Sequence, residues 1–232
     1  MPLLRLILFW CLWALWTIVL GTVGLVSWPV LRGPRLTVIQ RVWGRGTLGL
    51  LRSVVGLDYR LTGETHLLRS GEALLWASQH QSAWETLAFA ALVPRLRFVI
   101  KRELLRIPFY GWYHRMAKMI AVDRDGGMSA LKDMVGKVKE SLAEGYPVLI
   151  YPEGTRVPFG ETRPLLPGIA ALYTEVERPV VPVVLDSGRL WPKGLRIRPG
   201  RVTVRILPPI PPGLPRKAFQ AELATRLQQP VE

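Results

Sequence analysis

A histidine and a carboxylate lie close together in the stretch SQHQSAWET, where four residues separate His80 from Glu85. Imidazole is the side chain best suited to accept a proton near pH 7. A carboxylate beside it can orient the ring and stabilise its cationic form. The pair therefore predicts proton abstraction from a bound substrate.

The elements around this pair favour a site at a strand-to-helix corner. Residues 73–77 form a short apolar run that predicts a buried strand, and residues 84–92 have an apolar face that predicts a helix beginning near Ser82. Ligands of open α/β sheets bind at the carboxyl ends of strands. His80 is expected at such an end.

A structural explanation competes with the chemical one. Ser82 and Glu85 have the spacing of a capping box, in which the two side chains bond each other's backbone N–H groups at the start of a helix. That role would account for Glu85 without chemistry. This stretch alone leaves both explanations open.

Three further segments combine the end of an apolar run with charged side chains. They are Lys101 to Leu104, the pair Asp123 and Arg124, and the run from Tyr151 to Arg156, which reads YPEGTR. Each segment alone is typical of a solvated loop. Their recurrence at predicted strand ends favours one shared site.

The composition limits the class of protein. The chain has 232 residues, nine Trp, a mean hydropathy of +0.21 and a net charge of +14. These values indicate one domain with a membrane segment and an anionic partner. Nucleic acid is the least favoured partner, because the sequence has neither an aromatic and basic RNA motif nor zinc-ligand spacing. Cys11 is alone, which excludes an intrachain disulfide.

The N-terminal segment predicts membrane association. Residues 6–28 carry no charge and are long enough to span a bilayer. Arginines are more numerous after this run than before it, which favours a cytoplasmic position for the body. Residues 36–57 are basic and amphipathic, as expected of an interfacial helix. We therefore expect two membrane-anchoring helices in residues 1–57, with the first either crossing the bilayer or dipping into one leaflet.

Residues 58–232 predict an α/β domain. Apolar runs at 98–100, 119–122, 148–151, 180–185 and 202–207 are strand-like. A helix is expected from about Ser129, with an apolar face, to a stop at Gly145. A last helix is expected over 216–229.

Taken in order, the segments resemble the blocks of the 1-acylglycerol-3-phosphate acyltransferases in the glycerolipid acyltransferase family. The pair His80 and Glu85 matches the first block. The later matches are Lys101, Glu103, Leu104, Pro108 and Gly111; then Asp123 and Arg124; then Pro152 to Arg156; and then Val181 to Val183 with Ser187, Gly188 and Trp191. The resemblance covers about residues 78–191, and its specificity lies in the ordered set.

The resemblance implies a mixed sheet flanked by helices and an acyl transfer in phospholipid biosynthesis. His80 would remove a proton from the sn-2 hydroxyl of lysophosphatidic acid as it attacks an acyl thioester, and Glu85 would hold the ring. Lys101, Arg124 and Arg156 would bind the acceptor phosphate. Glu153, Gly154 and Thr155 would position the substrate. The donor would be acyl-CoA or acyl carrier protein, with no cofactor or metal, at a bacterial inner membrane.

The sequence departs from the family at several of these positions. Glu85 replaces the commoner Asp, Gln79 the usual Asn, Tyr151 the usual Phe and Val157 a frequent Ser. Two other functions therefore remain open, namely an acyltransferase for another lysolipid and a non-catalytic protein that binds anionic lipid at a membrane surface. His66 and His114 have no motif around them and are expected to be structural or exposed.

Overall fold

The computed structural model describes residues 3–27, 36–107, 110–123 and 126–231 of the chain. The helices in this part are α1 (Leu3–Val26), α2 (Leu36–Leu50), α3 (Trp84–Leu92), α4 (Tyr110–Met116), α5 (Gly127–Ala143), α6 (Pro167–Val176), α7 (Ser187–Leu190) and α8 (Arg216–Leu227). A π-helical turn, Leu51–Val55, continues α2, and two 3-10 turns cover Thr65–Arg69 and Arg102–Arg106. The strands are β1 (Leu57–Gly63), β2 (Leu75–Ser78), β3 (Arg97–Lys101), β4 (Ile120–Val122), β5 (Val148–Ile150), β6 (Val180–Leu185) and β7 (Gly200–Ile206).

The strands form one mixed sheet in the order β1-β7-β6-β2-β5-β3-β4. Every neighbouring pair is parallel except β6 and β7, which are antiparallel. The central strands β2, β5 and β6 are buried along their whole length because helices cover both faces of the sheet. The predicted mixed sheet flanked by helices is confirmed.

The two faces of the sheet contribute to two hydrophobic clusters. In β2, Trp76 belongs to one cluster and Leu75 and Ala77 to the other, since successive strand residues point to opposite faces. The Trp76 cluster includes α3 and parts of the N-terminal helices. The second cluster includes α5, α6 and α8. β2 is therefore fixed from both sides, which gives the loop that follows it a rigid support.

The predicted helices are present close to their expected bounds. α3 spans the predicted 84–92, and α5 has its predicted face, with Met134, Val135, Val138 and Leu142 buried. Gly145 follows α5 in a left-handed conformation, with φ +78°, as expected of a helix stop. α8 ends two residues before the predicted 229 and packs against α6 and β6.

The prediction of two membrane-anchoring helices is corrected to a single long apolar helix. Within the described residues, only α1 has the length and apolar composition needed to cross a bilayer, and most of its surface is exposed. α2 is amphipathic and packs between α1 and α3. It approaches α3 so closely that a side chain at Gly44 would meet the backbone of Ala91 at 2.9 Å. Its buried residues therefore serve contacts within the protein.

α1 is attached to the rest of the protein by aromatic side chains. Phe9 is fully buried, and its ring meets that of Trp191 edge-on at 6.3 Å. The Trp16 indole N–H donates to the Trp43 carbonyl at 3.2 Å, and the Trp43 indole N–H donates to the Thr17 hydroxyl at 3.0 Å. These contacts hold α1 along α2. The predicted connection at 29–34 lies outside the described residues.

Candidate acyl-transfer site

Three adjacent strands bring the central residues of the site together. β2 has β5 on one side and β6 on the other, and both pairs are parallel. Their carboxyl ends therefore open on the same edge of the sheet. His80 follows β2, Tyr151 follows β5 and Ser187 begins α7 after β6. This edge is the predicted position of the site.

Glu85 lies at the centre of a hydrogen-bonded cluster. Its side chain is fully buried. Oε1 lies 2.7 Å from Nδ1 of His80 and accepts the backbone N–H groups of Gln81 at 2.8 Å and Ser82 at 2.7 Å. Oε2 accepts the hydroxyl of Ser187 at 2.7 Å. Four donors around one carboxylate compensate for its burial.

The capping explanation and the chemical explanation for Glu85 both apply. The carboxylate accepts the N–H of Ser82, which is one half of a capping box. The Ser82 hydroxyl completes the cap on the N–H of Trp84, at 3.1 Å, instead of the expected N–H of Glu85. The other interactions of Glu85 extend to His80 and Ser187. The Glu85 carboxylate thus helps to cap the start of α3 and also positions the His80 ring.

The ring of His80 is held from its face as well as from its edge. The Tyr151 ring stacks on it, with centroids 4.0 Å apart and planes 14° apart. The Tyr151 hydroxyl lies 3.1 Å from the hydroxyl of Thr86, which belongs to α3. Since 17% of the His80 side chain remains accessible, the ring is fixed in place and can still be reached.

The YPEGTR segment also fixes the backbone of His80. The carbonyl of His80 accepts the N–H of Val157 at 2.7 Å. The backbone of His80 also lies close enough to the Glu153 carboxyl group to lower the pKa of that group. The loops after β2 and β5 are therefore joined at this residue, which explains why two distant motifs occur together.

Glu153 is a buried acid with incomplete hydrogen bonding. Only 8% of the residue is exposed, and Oε2 has no hydrogen-bond partner within the described residues. Burial raises the pKa of Glu153 to about 7, and the nearby charge of Glu85 also raises it. The N–H groups of Glu153 and His80 lower it by a smaller amount. The group therefore titrates in the physiological range.

The other predicted positioning residues differ in their surroundings. Gly154 has φ +70°, a left-handed conformation that favours glycine, and a Cβ there would also displace the Leu166 side chain, which it would meet at 2.4 Å. Thr155 is exposed. In the described part of the chain, no group of three His, Cys, Asp or Glu side chains has the arrangement of a metal site.

Two of the predicted phosphate-binding residues, Lys101 and Arg156, lie at or after the ends of strands that end at the same edge of the sheet. Lys101 ends β3, the other neighbour of β5, and its ammonium group lies 3.3 Å from Glu103. Arg156 is exposed, and its guanidinium has no ion pair with any described side chain. Arg124 and Pro108 lie outside the described residues. Asp123 accepts a hydrogen bond from Arg102 at 3.3 Å and so forms a local ion pair.

An apolar cavity of about 280 Å³ lies beside the site. Thr17 and Gly21 of α1, Trp43 of α2 and Phe98 of β3 contribute to its wall. Thr86 also lines it, and this residue is linked through Tyr151 to the ring of His80. The cavity therefore runs from the apolar N-terminal helix towards the histidine.

Sequence reasoning missed the parts that Ser187 and Tyr151 play in this arrangement. Both positions were recognised within family blocks, but neither was given a contact with the first block. The signal that could have found them is their position just after strand-like runs. That signal becomes informative only with the strand order, which puts β5 and β6 on either side of β2.

Comparison with known proteins gives matches over most of the chain. A model described as "Acyltransferase" matches residues 58–186. The 1-acyl-sn-glycerol-3-phosphate acyltransferase of Pseudomonas aeruginosa is 36% identical over 208 residues, which cover 88% of this chain and 80% of that protein. The enzyme of the same name from Limnanthes douglasii is 28% identical over 80% of this chain and 65% of its own length.

The fold also matches a solved structure. The crystal structure of a 1-acyl-sn-glycerophosphate acyltransferase from Thermotoga maritima superimposes with a TM-score of 0.77, covering 97% of this chain and 93% of that one. The two sequences are 23% identical. This match supports the fold.

Proposed function

The chain belongs to the acyltransferase family, and from that premise we propose that it transfers a fatty acyl group from a thioester to the sn-2 hydroxyl of 1-acylglycerol-3-phosphate. The product is phosphatidic acid, an intermediate of phospholipid biosynthesis. Relatives from a bacterium and from plants carry the name of this activity. Their names are the reason for choosing this acceptor over other lysolipids.

The observation that carries the proposal is the contact of 2.7 Å between Nδ1 of His80 and the buried carboxylate of Glu85. An ionised carboxylate only accepts hydrogen bonds, so Nδ1 carries the hydrogen and Nε2 keeps its lone pair. Nε2 is then the atom that takes the proton of the acceptor hydroxyl. The Tyr151 ring and the Glu85 carboxylate keep that lone pair in a fixed direction.

The reaction follows as one nucleophilic substitution. The sn-2 oxygen attacks the thioester carbonyl as Nε2 of His80 removes its proton, and the new C–O bond forms. Collapse of the tetrahedral intermediate breaks the C–S bond. The imidazolium returns the proton to the departing thiolate, and Glu85 stabilises the imidazolium in between. The acceptor itself is the nucleophile, so no acyl-enzyme is required.

The apolar cavity supports an acyl substrate. Its wall is formed largely by aliphatic and aromatic side chains, and Thr86 connects it to the Tyr151 and His80 pair. An acyl chain there would place its carbonyl carbon towards the histidine. Burial of each methylene contributes roughly 0.8 kcal/mol, enough for the cavity to select among chain lengths.

We assign the acceptor phosphate to Lys101, Arg124 and Arg156. The exposed guanidinium of Arg156 suits a bidentate phosphate contact. Lys101 must exchange its contact with Glu103 for one with the ligand. Glu153, Gly154 and Thr155 are substrate-positioning residues in this proposal, and Glu153 lies against the backbone of His80.

The protein associates with a membrane, and we propose that residues 1–57 hold it there while residues 58–232 carry out the chemistry. The exposed apolar surface of α1 supports this division. The basic residues after α1 favour a catalytic domain on the cytoplasmic side, at a bacterial inner membrane. The proposed donor is acyl-CoA or an acyl thioester of acyl carrier protein, and the mechanism uses no cofactor and no metal.

The test is product analysis with the full chain purified in an uncharged detergent. Lysophosphatidic acid is supplied with acyl-CoA or with an acyl thioester of acyl carrier protein, and lipids are identified by mass spectrometry. The expected result is phosphatidic acid from one or both donors, and its loss in the His80→Ala variant. Acylation of a lysolipid that has a headgroup, without any phosphatidic acid, would overturn the choice of acceptor.

A further inference from the structure

A second cavity, of about 240 Å³, lies away from the histidine and is lined by arginines. It is open to the surface and is bordered by α2, the π-helical turn, β1, the 3-10 turn Thr65–Arg69 and the carboxyl end of α3, with Arg45, Arg52 and Arg69 exposed. Its lining includes four arginines and one acidic residue, namely Arg41, Arg45, Arg52, Arg69 and Asp58. None of its lining residues lines the acyl cavity. It is therefore a separate site.

Most of the positive charge in this cavity is uncompensated. Asp58 is engaged by Arg52, with Nε and Oδ2 3.4 Å apart. Arg41, Arg45 and Arg69 have neither an ion pair nor a hydrogen bond with any described residue. In addition, Nε of Arg41 is buried without a partner. A buried donor without an acceptor is unfavourable, so an anion that accepted a hydrogen bond from this atom would stabilise the protein.

The arrangement is unfavourable for the protein alone. Arg41 and Arg45 are one helical turn apart, a spacing at which like charges destabilise a helix. Arg69 comes from a different element and adds a third charge. Burial lowers the pKa of the Arg41 guanidinium, and the charges of Arg45 and Arg69 lower it further. A bound anion would offset the repulsion among the three guanidinium groups and would raise the pKa of Arg41.

We propose that Arg41, Arg45 and Arg69 bind the phosphate group of an anionic membrane lipid. Guanidinium groups match phosphate oxygens in geometry and in charge. Three of them converging from two elements can surround one headgroup. Basic pockets of this kind beside apolar helices are suited to lipid headgroups.

The exposed side of α2 supports a lipid as the source of the phosphate. Val38 and Val42 are 59% and 42% exposed, and Arg45 follows on the same side of the helix. An exposed stripe that changes from apolar to basic is expected where the hydrocarbon layer meets the headgroups. α2 also packs along α1, the helix that is apolar enough to enter a bilayer. The cavity therefore lies where a headgroup can reach it.

The test is a direct binding measurement with the full chain in an uncharged detergent. Native mass spectrometry compares the retention of phosphatidylglycerol, which is anionic, with that of phosphatidylcholine, which has no net charge. The site variant is Arg41→Gln combined with Arg69→Gln. The matched control is Lys132→Gln combined with Arg178→Gln, which removes the same charge from exposed side chains that have no hydrogen bond or ion pair with the described residues.

The expected result is a preference for phosphatidylglycerol of at least about tenfold in the wild type, which charged hydrogen bonds of this number can supply. The control should keep that preference and the site variant should lose it. In lipid-free detergent the site variant should melt no lower than the wild type, because repulsion is removed. Arg45→Gln alone provides a second variant if the double one fails to fold.

Two further outcomes decide the source and the site. If millimolar inorganic phosphate displaces phosphatidylglycerol completely, the arginines bind a soluble phosphate compound, and the proposal of a membrane lipid is wrong. If the site variant retains phosphatidylglycerol as well as the control does, the arginines do not form the site and the proposal is wrong.

Discussion

Ser187 and Glu85 are separated by 102 positions in the sequence, and the hydroxyl of the first donates a hydrogen bond of 2.7 Å to the carboxylate of the second. The same carboxylate holds His80 through its other oxygen. The end of β6 is thus coupled to the position of the proposed base. The Glu85 carboxylate accepts hydrogen bonds from the backbone at the start of α3, from the His80 ring and from the Ser187 hydroxyl. Replacing it with a neutral group of the same shape therefore tests what its charge contributes.

Glu85→Gln is expected to leave the fold in place and remove most of the activity. The amide oxygen can keep the three contacts of Oε1, and the amide NH₂ can donate to Ser187 once that hydroxyl rotates. The negative charge that stabilises the imidazolium is lost, so kcat should fall by roughly 10²–10⁴. Melting temperature and initial rate are measured on the same preparation.

The control for this change is Glu85→Asp, which keeps the charge and should retain part of the activity. A Glu85→Gln variant with the wild-type rate would show that Glu85 serves only the helix start and the loop.

Glu153 is expected to make stability fall as pH rises from about 4.5 to about 7. Its pKa is raised to about 7 in the folded protein from a usual value of 4.5. Between these values the unfolded chain loses its proton and the folded protein keeps it, so ionisation favours unfolding. The loss is on the order of 3 kcal/mol. Denaturant unfolding at pH 5 and pH 8 measures it.

Glu153→Gln is the matched variant for that measurement. Its amide has nearly the same size and stays polar beside the backbone of His80, and it does not titrate in this range. The variant should lose less stability than the wild type between the two pH values. Equal losses in both proteins would mean that another group causes the dependence.

Arg156→Ala is expected to weaken the use of lysophosphatidic acid with little effect on kcat. Loss of a charge-assisted hydrogen bond costs about 1.5–3 kcal/mol, which corresponds to a rise in KM of roughly 10–100-fold. Arg163→Ala, in the same exposed loop, is the control. KM and kcat are determined for both. A similar change for a lysolipid without a phosphomonoester would argue against a contact with the phosphate.

Gly21→Phe is expected to shift the acyl preference towards shorter chains. Gly21 lines the apolar cavity, and a Cβ added there meets no atom within 4 Å. The new ring can therefore occupy volume that a long acyl chain would use. Competition among donors of several chain lengths, followed by product mass spectrometry, measures the shift.

Gly136→Phe is the control for this change, because Gly136 is also a helical glycine with open space around it and is remote from the cavity. An unchanged product profile in Gly21→Phe would place the acyl chain elsewhere.

The fold was largely predictable because its central strands are buried on both faces. β6 and α3 occur at their predicted bounds, since each is a sustained apolar segment with a clear end. β1 was not predicted. Its sequence, LDYRLTG, mixes polar and apolar residues, and it acquires its structure from seven paired positions on β7. The apolar pattern of α2 did not distinguish burial against α3 from burial in lipid.

The site was predictable only in part. Contacts between residues close in the sequence can be predicted from their spacing, whereas contacts between distant residues depend on the order of the strands in the sheet. His80 and Glu85 are five positions apart, and their contact follows from a strand-to-helix corner. Ser187 reaches the same carboxylate only because β6 lies next to β2, which no local pattern reveals. The roles of Lys101, Arg124 and Arg156 stay predictions.

Because α1 supplies Thr17 and Gly21 to the wall of the acyl cavity, the helix that we propose enters the bilayer also borders the proposed reaction space. An acceptor that is itself a membrane lipid can then arrive by lateral diffusion, without being extracted into water. The concentration that governs the rate is in that case the mole fraction of lysolipid in the host leaflet or micelle. Adding inert detergent at a fixed amount of acceptor should therefore slow the reaction by surface dilution, although the molar concentration of the acceptor is unchanged.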